Sequence, residues 1–179
     1  DATLNDYTYR NLKLEGSIAD KIYKLNASLH DSNLDVTIAA NGIFSGNNPT
    51  VHLDAKIDSI KTMPLHFTSQ PLTYHGNIVA DFSNINPDTL NGKLFVTHSI
   101  LVNNGKRIEL DSLSLIADHS ADSQRISLRS DFFAASIKGR YQLTQLGNIF
   151  QQSIDPYFSL MDKKDTIKTA PYHFTISAG

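Results

Sequence analysis

The side chains with the widest chemical reach in this chain are its seven histidines, since imidazole titrates near neutral pH and binds metals. His52, His66, His75 and His173 each stand between apolar neighbours, as in Leu65-His66-Phe67, and His30 follows the apolar Leu29. On a strand that alternation turns the imidazole to solvent. None follows HxxxH or HExxH, the spacings that put two imidazoles on one helix face to hold zinc. His98 and His119 fall in no such pattern. Asp54 and Asp58 alternate with Leu53, Ala55 and Ile57, so they belong to the same wet side and serve solubility. Arg129-Ser130-Asp131 supplies two residue types of a Ser-His-Asp triad, but nothing in the sequence brings a histidine to it. Asn26-Ala27-Ser28 matches a glycosylation acceptor, a pattern short enough to arise by chance. The chain has no cysteine, which excludes disulfides, thiolate metal sites and Cys nucleophiles and leaves the compartment undecided. No glycine-rich phosphate loop is present. These residues predict no catalytic group, no metal site and no cofactor: an all-β protein that is not an enzyme.

The elements that would carry these side chains are written in a period of two. Leu34, Val36, Ile38, Ala40, Gly42 and Phe44 form one apolar set, and Val51, Leu53, Ala55 and Ile57 a second. Leu72, Tyr74, Gly76, Ile78, Ala80 and Phe82 form a third, and Leu90, Gly92, Leu94 and Val96 a fourth. Such runs are strands with one apolar and one wet face. Of nine glycines, five (Gly16, Gly42, Gly76, Gly92 and Gly139) stand inside the apolar register with an apolar residue two positions away on each side. Glycine weakens a strand and is used where a sheet bends, bulges or lets something approach. Five facing inward predict a strongly curved sheet, or a trough with some floor space; ordinary glycines of a sandwich core are the alternative.

Composition bounds the class. At 179 residues the chain is one domain, or one stretch of an elongated one. Hydrophobic residues at 40% against charged residues at 19% make it globular rather than disordered. A net charge of -2, with no basic run, argues against nucleic acid. No apolar run approaches the length that spans a bilayer as a helix, and no signal peptide is recognisable. The chain opens on Asp1, reaches a strand-like Tyr7-Thr8-Tyr9 at once and stops at Gly179 just after another strand pattern, so a piece of something longer is expected. The absence of Trp weighs against a sugar-binding sandwich with aromatic platforms.

Strands are expected near 5–18 (broken at Arg10-Asn11), 21–30, 33–45, 50–60, 64–69, 72–83, 89–97, 99–103, 106–117, 124–131, 132–143 and 171–177. The connections are short and rich in turn formers, with Asn104-Gly105 the strongest hairpin signal. Even spacing predicts an antiparallel meander in which each strand pairs with its sequence neighbour. A phase slip between Leu110 and Leu113 predicts a bulge at Asp111-Ser112. One helix is expected over 144–155, where apolar residues fall at 143, 146, 150 and 154, with Thr144 as its cap and Pro156 ending it. It should lie on the apolar face or plug one end of it.

From Asp81 to Phe158 the chain carries a resemblance. Leu90-Asn91-Gly92-Lys93-Leu94 is followed by Ile108-Glu109-Leu110-Asp111-Ser112-Leu113-Ser114-Leu115. Then comes Ile126-Ser127-Leu128-Arg129-Ser130-Asp131-Phe132-Phe133-Ala134-Ala135-Ser136-Ile137-Lys138-Gly139-Arg140-Tyr141. After the helical segment Tyr172-His173-Phe174-Thr175-Ile176 opens a new unit near 171. This resembles the TamB family of translocation and assembly modules, within the AsmA-like group and in the style of its Bacteroidetes members. The Ser-Asp-apolar-x-Ala…Gly-x-Tyr stretch is its most specific part.

The resemblance implies an elongated all-β segment curved lengthwise into a taco-like trough with an apolar interior. Such proteins are anchored in the inner membrane and extend through the periplasm. They are implicated in moving phospholipid outward and in assembling outer-membrane proteins. The implied partners are phospholipid acyl chains or unfolded outer-membrane β-strands, with a BamA- or TamA-like outer-membrane partner and an inner-membrane anchor engaged by other regions. The inward residues that would line the groove are Val36, Ile38, Val51, Leu53, Ile57, Tyr74, Ile78, Leu94, Val96, Ile126, Leu128, Ile137 and Tyr141. A closed β-sandwich binding or adhesion module and a small lipid-carrying barrel or clam are the competing readings.

Overall fold

The structure, a computed structural model, describes residues 1–44, 46, 48–146 and 171–179. Its strands are β1 (Ala2–Leu4), β2 (Tyr7–Tyr9), β3 (Leu12–Ala19), β4 (Ile22–His30), β5 (Leu34–Ile43), β6 (Val51–Lys61), β7 (Leu72–Asn84), β8 (Asn91–Asn103), β9 (Lys106–His119), β10 (Gln124–Ser130), β11 (Ala134–Arg140) and β12 (His173–Ala178). The last ten form one antiparallel sheet in strict chain order, β12-β11-β10-β9-β8-β7-β6-β5-β4-β3. Each strand therefore pairs with its sequence neighbours, as even turn spacing requires, and the sheet does not close on itself. At about 4.8 Å per strand it is roughly 43 Å across. β12 continues this sheet by pairing with β11, where the sequence suggested that a new unit begins.

β1 and β2 form a separate hairpin. The chain breaks at the expected point: Asn11 adopts φ 57°, a left-handed conformation that ends β2 before β3 begins. Polar contacts fasten this hairpin to the sheet. The Tyr7 hydroxyl donates to Asp31, Asn33 Nδ2 donates to the Tyr7 hydroxyl at 3.1 Å, and His66 Nδ1 donates to the Asn5 carbonyl at 2.7 Å. Beneath them Tyr9, Leu29 and Leu65 form a small buried core, packed on by Tyr7, Leu34, Val36 and Ile60.

Leu65 corrects the strand expected at 64–69. Residues 62–70 form a series of turns instead, with His66 at φ 60°. Pro64 cannot donate to a ladder and fixes its own φ, so the Leu-His-Phe alternation folds back and drives Leu65 into the apolar face. The segments expected at 89–97 and 99–103 are one strand, β8, bent at His98 (φ 52°).

The bend at His98 belongs to a crease. Asp58 is left out of the β5–β6 pairing. The β6–β7 ladder shifts between Ile57 and Ile60, and the β7–β8 ladder between His75 and Asn77. On β9 the successive N–H groups of Asp111 and Ser112 both donate to the Asp131 carboxylate, at 2.7 and 3.1 Å. The expected bulge at Asp111-Ser112 is the end of this line. It causes no register shift between β8 and β9, because β8 breaks opposite it. Bulges bend strands and raise their twist; four neighbouring strands irregular at one height curve the sheet.

The inward glycines do not leave the floor space expected of them. A Cβ on Gly76 would lie 2.6 Å from the Tyr74 hydroxyl, which occupies the gap and bonds Ser99 Oγ at 2.9 Å. Gly92 adopts φ 145°, and a Cβ there would meet the Asp81 carbonyl at 2.3 Å. Both are close-approach positions that shape the bend.

The opposite end of the strands has its own clamp. Gln124, buried, donates through Nε2 to the carbonyls of Asp88 and Tyr141, each at 2.7 Å. The Asp88 carboxylate accepts from the Thr144 N–H at 2.9 Å and from its hydroxyl at 2.8 Å. Thr144 is therefore not a helix cap. It sits inside a 3-10 turn, Leu143–Gln145, which has no side-chain cap. Leu146 has helical dihedrals; the rest of the helix expected over 144–155, with Pro156, lies outside the described residues.

Leu65 is wholly buried, so Leu65→Ala should lower unfolding free energy by about 2–5 kcal/mol, read from urea melts. The same truncation at Leu14, which is 64% exposed, should cost well under half of that.

Candidate apolar groove

Facing residues of an antiparallel pair point to the same side, so the register turns the sequence pattern into rows. One row crosses all ten strands without a polar side chain: Gly16, Leu25, Ala40, Leu53, Ala80, Leu94, Leu115, Leu128, Ala135 and Ala178. Beside it run Leu14, Ala27, Ile38, Ala55, Ile78, Val96 and Leu113. On its other flank run Val51, Phe82, Gly92, Ala117, Ile126, Ile137 and Ile176. A slip of one residue in any strand would send polar side chains into these rows, so register is tightly specified.

Exposure along the rows shows the curvature. Ala117 is 1% exposed, and Ala55, Ile57, Ala80 and Phe82 are buried, all in the middle strands. At the β3 edge Ile18 is 73% exposed, and at the β12 edge Ile176 is 51% exposed. The sheet is concave on its apolar side, deep at the centre and open at both margins.

The register brings the thirteen expected groove residues to this side. Ile38, Val51, Leu53, Ile78, Leu94, Val96, Ile126, Leu128 and Ile137 lie in the rows just given. Val36 faces Ile57, and Tyr74 faces Ile60 and Leu101. Eleven of the thirteen keep part of their surface accessible, but Ile57 and Tyr141 are already buried. Tyr141 stacks edge-on against Phe174 at 5.9 Å and closes one end; burial pushes its phenol pKa up. Tyr9 and Leu65, which plug the other end, were not legible as site residues. Pro64 was the signal for Leu65, since it demotes the segment from strand to loop.

His30, His52 and His75 stay on the wet side, whereas His119 shares the face of Ala117 at the end of β9 with its Nδ1 buried. His30 Nδ1 meets Asp35 at 2.7 Å and His52 meets Asp81 at 3.9 Å, with all four side chains well exposed. His75 Nδ1 donates to the Asp58 carbonyl at 3.1 Å. Exposed pairs of this kind contribute little to stability. Lys56 holds the Asp58 carboxyl below its ordinary range. The Arg129-Ser130-Asp131 stretch is architectural: Ser130 Oγ accepts from the N–H groups of Phe132 and Phe133, and Asp131 accepts from Asp111 and Ser112. Among the described residues no group of three or more His, Asp or Glu could hold a metal ion.

What fold and apolar rows define together is an all-β protein built on one long antiparallel meander sheet that does not close into a barrel and has a one-sided apolar surface. Compared with family models, with curated proteins and with solved structures, the chain finds no match.

The Ser112 N–H, with the Ser112 hydroxyl and the Asp111 N–H adding to it, holds the Asp131 carboxyl below the usual carboxylate range. A depressed folded value gives stability that is present above the unfolded pKa, about 3.9, and lost as pH falls through the folded one. Thermal melts from pH 7 to pH 2 should therefore show a smaller acid-induced drop in Asp131→Asn than in the parent chain. Replacing His52, His66, His75 or His173 singly by Gln should leave fold and ligand binding intact by circular dichroism and titration.

Proposed function

We propose that this chain is a segment of a TamB- or AsmA-like envelope protein, placed in the periplasm, whose concave apolar face shelters phospholipid acyl chains in transit between membranes. The observation that carries this reading is the row from Gly16 to Ala178, an apolar track that crosses every strand of the sheet and runs off both margins. A sealed carrier would end such a track in a closed pocket, and a sandwich would cover it with a second sheet. Exposed apolar surface of this extent marks an interaction site. The work requires no acid, base, nucleophile or metal, so the reading is of a conduit and not an enzyme. Among the described residues no strand pairs with the outer edges of β3 and β12, which also favours unfolded outer-membrane β-strands as clients, since an open edge accepts an added strand through its backbone. On this reading the membrane anchor and the outer-membrane partner belong to other parts of the protein.

Purified from a lipid-containing extract, the chain should carry phospholipid by native mass spectrometry and take up a fluorescent fatty acid after delipidation. Lipid-free protein with no uptake would defeat the proposal. Leu128→Asp puts a charge in the track and Ser127→Asp puts one on the opposite side. Leu128→Asp should stay folded and lose uptake, because the carboxylate reaches water in an open groove, while Ser127→Asp should change neither. Unfolding of Leu128→Asp would indicate a sealed core, where an unpaired charge costs several kcal/mol.

A further inference from the structure

The β10–β11 hairpin carries features that the apolar track does not use. At its tip Phe132 and Phe133 are 68% and 44% exposed. The turn that presents them is firmly built. Ser130 Oγ accepts from both phenylalanine N–H groups at 3.2 and 3.3 Å, and the Ser130 N–H donates to the Phe133 carbonyl at 2.8 Å. Asp131 is tied to β9 by the Asp111 and Ser112 amides. Two large apolar side chains are thus held in water by a turn that gives them no route back onto the sheet.

Behind the tip, on the face opposite the apolar track, stand three cations. Arg125 and Arg129 alternate with Ile126 and Leu128 on β10, and Lys138 lies on β11 directly opposite Arg125. With Ser127, Ser136 and Ser177, which face one another across three strands, they line a shallow depression of about 650 Å³. Like charges directly opposite on a sheet repel. Asp118 faces Arg125 from β9, and among the described residues none of the three cations is within ion-pair distance of a carboxylate, while Arg140 at the far end of β11 meets Asp122 at 3.8 Å.

We propose that this hairpin docks on an anionic bilayer surface. Phe132 and Phe133 enter the interfacial layer, and Arg125, Arg129 and Lys138 meet lipid phosphates along the outward face. Phenylalanine side chains on an interfacial element bury at the boundary between headgroups and acyl chains, and each Lys or Arg near an anionic surface adds about 1 kcal/mol of attraction. A phosphate layer also relieves the Arg125–Lys138 repulsion, which among the described residues only Asp118, opposite Arg125, offsets. Docking goes beyond the acyl-chain reading, because it uses the other face of the sheet.

The test is sedimentation with vesicles of phosphatidylcholine alone and of phosphatidylcholine with phosphatidylglycerol. The chain should bind the second and not the first, and release with salt. Arg129→Gln and Lys138→Gln should each weaken binding about fivefold, and Phe132→Ser/Phe133→Ser should reduce it further, with fatty-acid uptake unchanged in all three. Lys138→Gln should keep or raise the thermal midpoint, since it removes a repulsion. Equal binding to neutral vesicles, or full binding by the double serine variant, would overturn the proposal. So would displacement by millimolar inorganic phosphate, which would indicate a small-anion site instead, or a lowered midpoint in Lys138→Gln, which would make the cations part of the fold.

Discussion

A sheet with one apolar face must keep that face from water, and among the described residues the one other sheet, the two-stranded β1–β2 hairpin, packs only at one end. Most of the structure answers this constraint. The strands curve so that the middle of the face is buried by its own neighbours, while the margins stay open. The crease through Asp58, His98 and Asp111-Ser112 supplies bending where the strands are longest. Each end of the trough is stopped by local chain, the Tyr9–Leu65 cluster at one end and Tyr141 with Phe174 at the other. Both stoppers are held by polar contacts that cost little and fix much: Tyr7 on Asp31 at one end, Gln124 on two carbonyls at the other.

The plugs come at a cost. The hydroxyls of Tyr9 and Tyr141 are buried without a hydrogen-bond partner, and groups in that state forfeit their bonds to water. Aromatic bulk was placed at the two ends in spite of that loss, which indicates how much apolar surface the ends would otherwise show. The wet face follows a different logic. A few of its charges are neutralised by near neighbours, Lys56 by Asp58, Arg107 by Glu109 and Arg140 by Asp122, and the others stand in solvent.

The faces of the strands were legible because alternation is local: Leu53, Ala55 and Ile57 can point only one way if Asp54 and Lys56 meet water. The meander was legible because turn formers recur at even intervals. What stayed hidden depends on contacts between distant segments. Pro64 marks the segment of Leu65 as a loop, but its burial against Tyr9 and Leu29 depends on segments far away in the chain. The glycines were recognised as inward, but their purpose is set by what approaches them, the Tyr74 hydroxyl at Gly76 and the Asp81 carbonyl at Gly92. The slip at Leu110–Leu113 was visible, but its continuation through His98 and Asp58 needed the pairing of four strands. The side to which the apolar residues point could be read, Tyr141 among them, and the Tyr9–Leu65 cluster could not.

Strict chain order in the sheet has a consequence for how the molecule assembles. Every ladder joins strands consecutive in the chain, and except between β11 and β12 the loops to be closed are short and their entropic cost is small. Such a sheet can nucleate at any hairpin and zip outward one strand at a time, as linear repeat proteins do. It can grow from its first strands as the chain is synthesised, without waiting for a distant partner. Loss of an outer strand would shorten the sheet and leave the remainder standing.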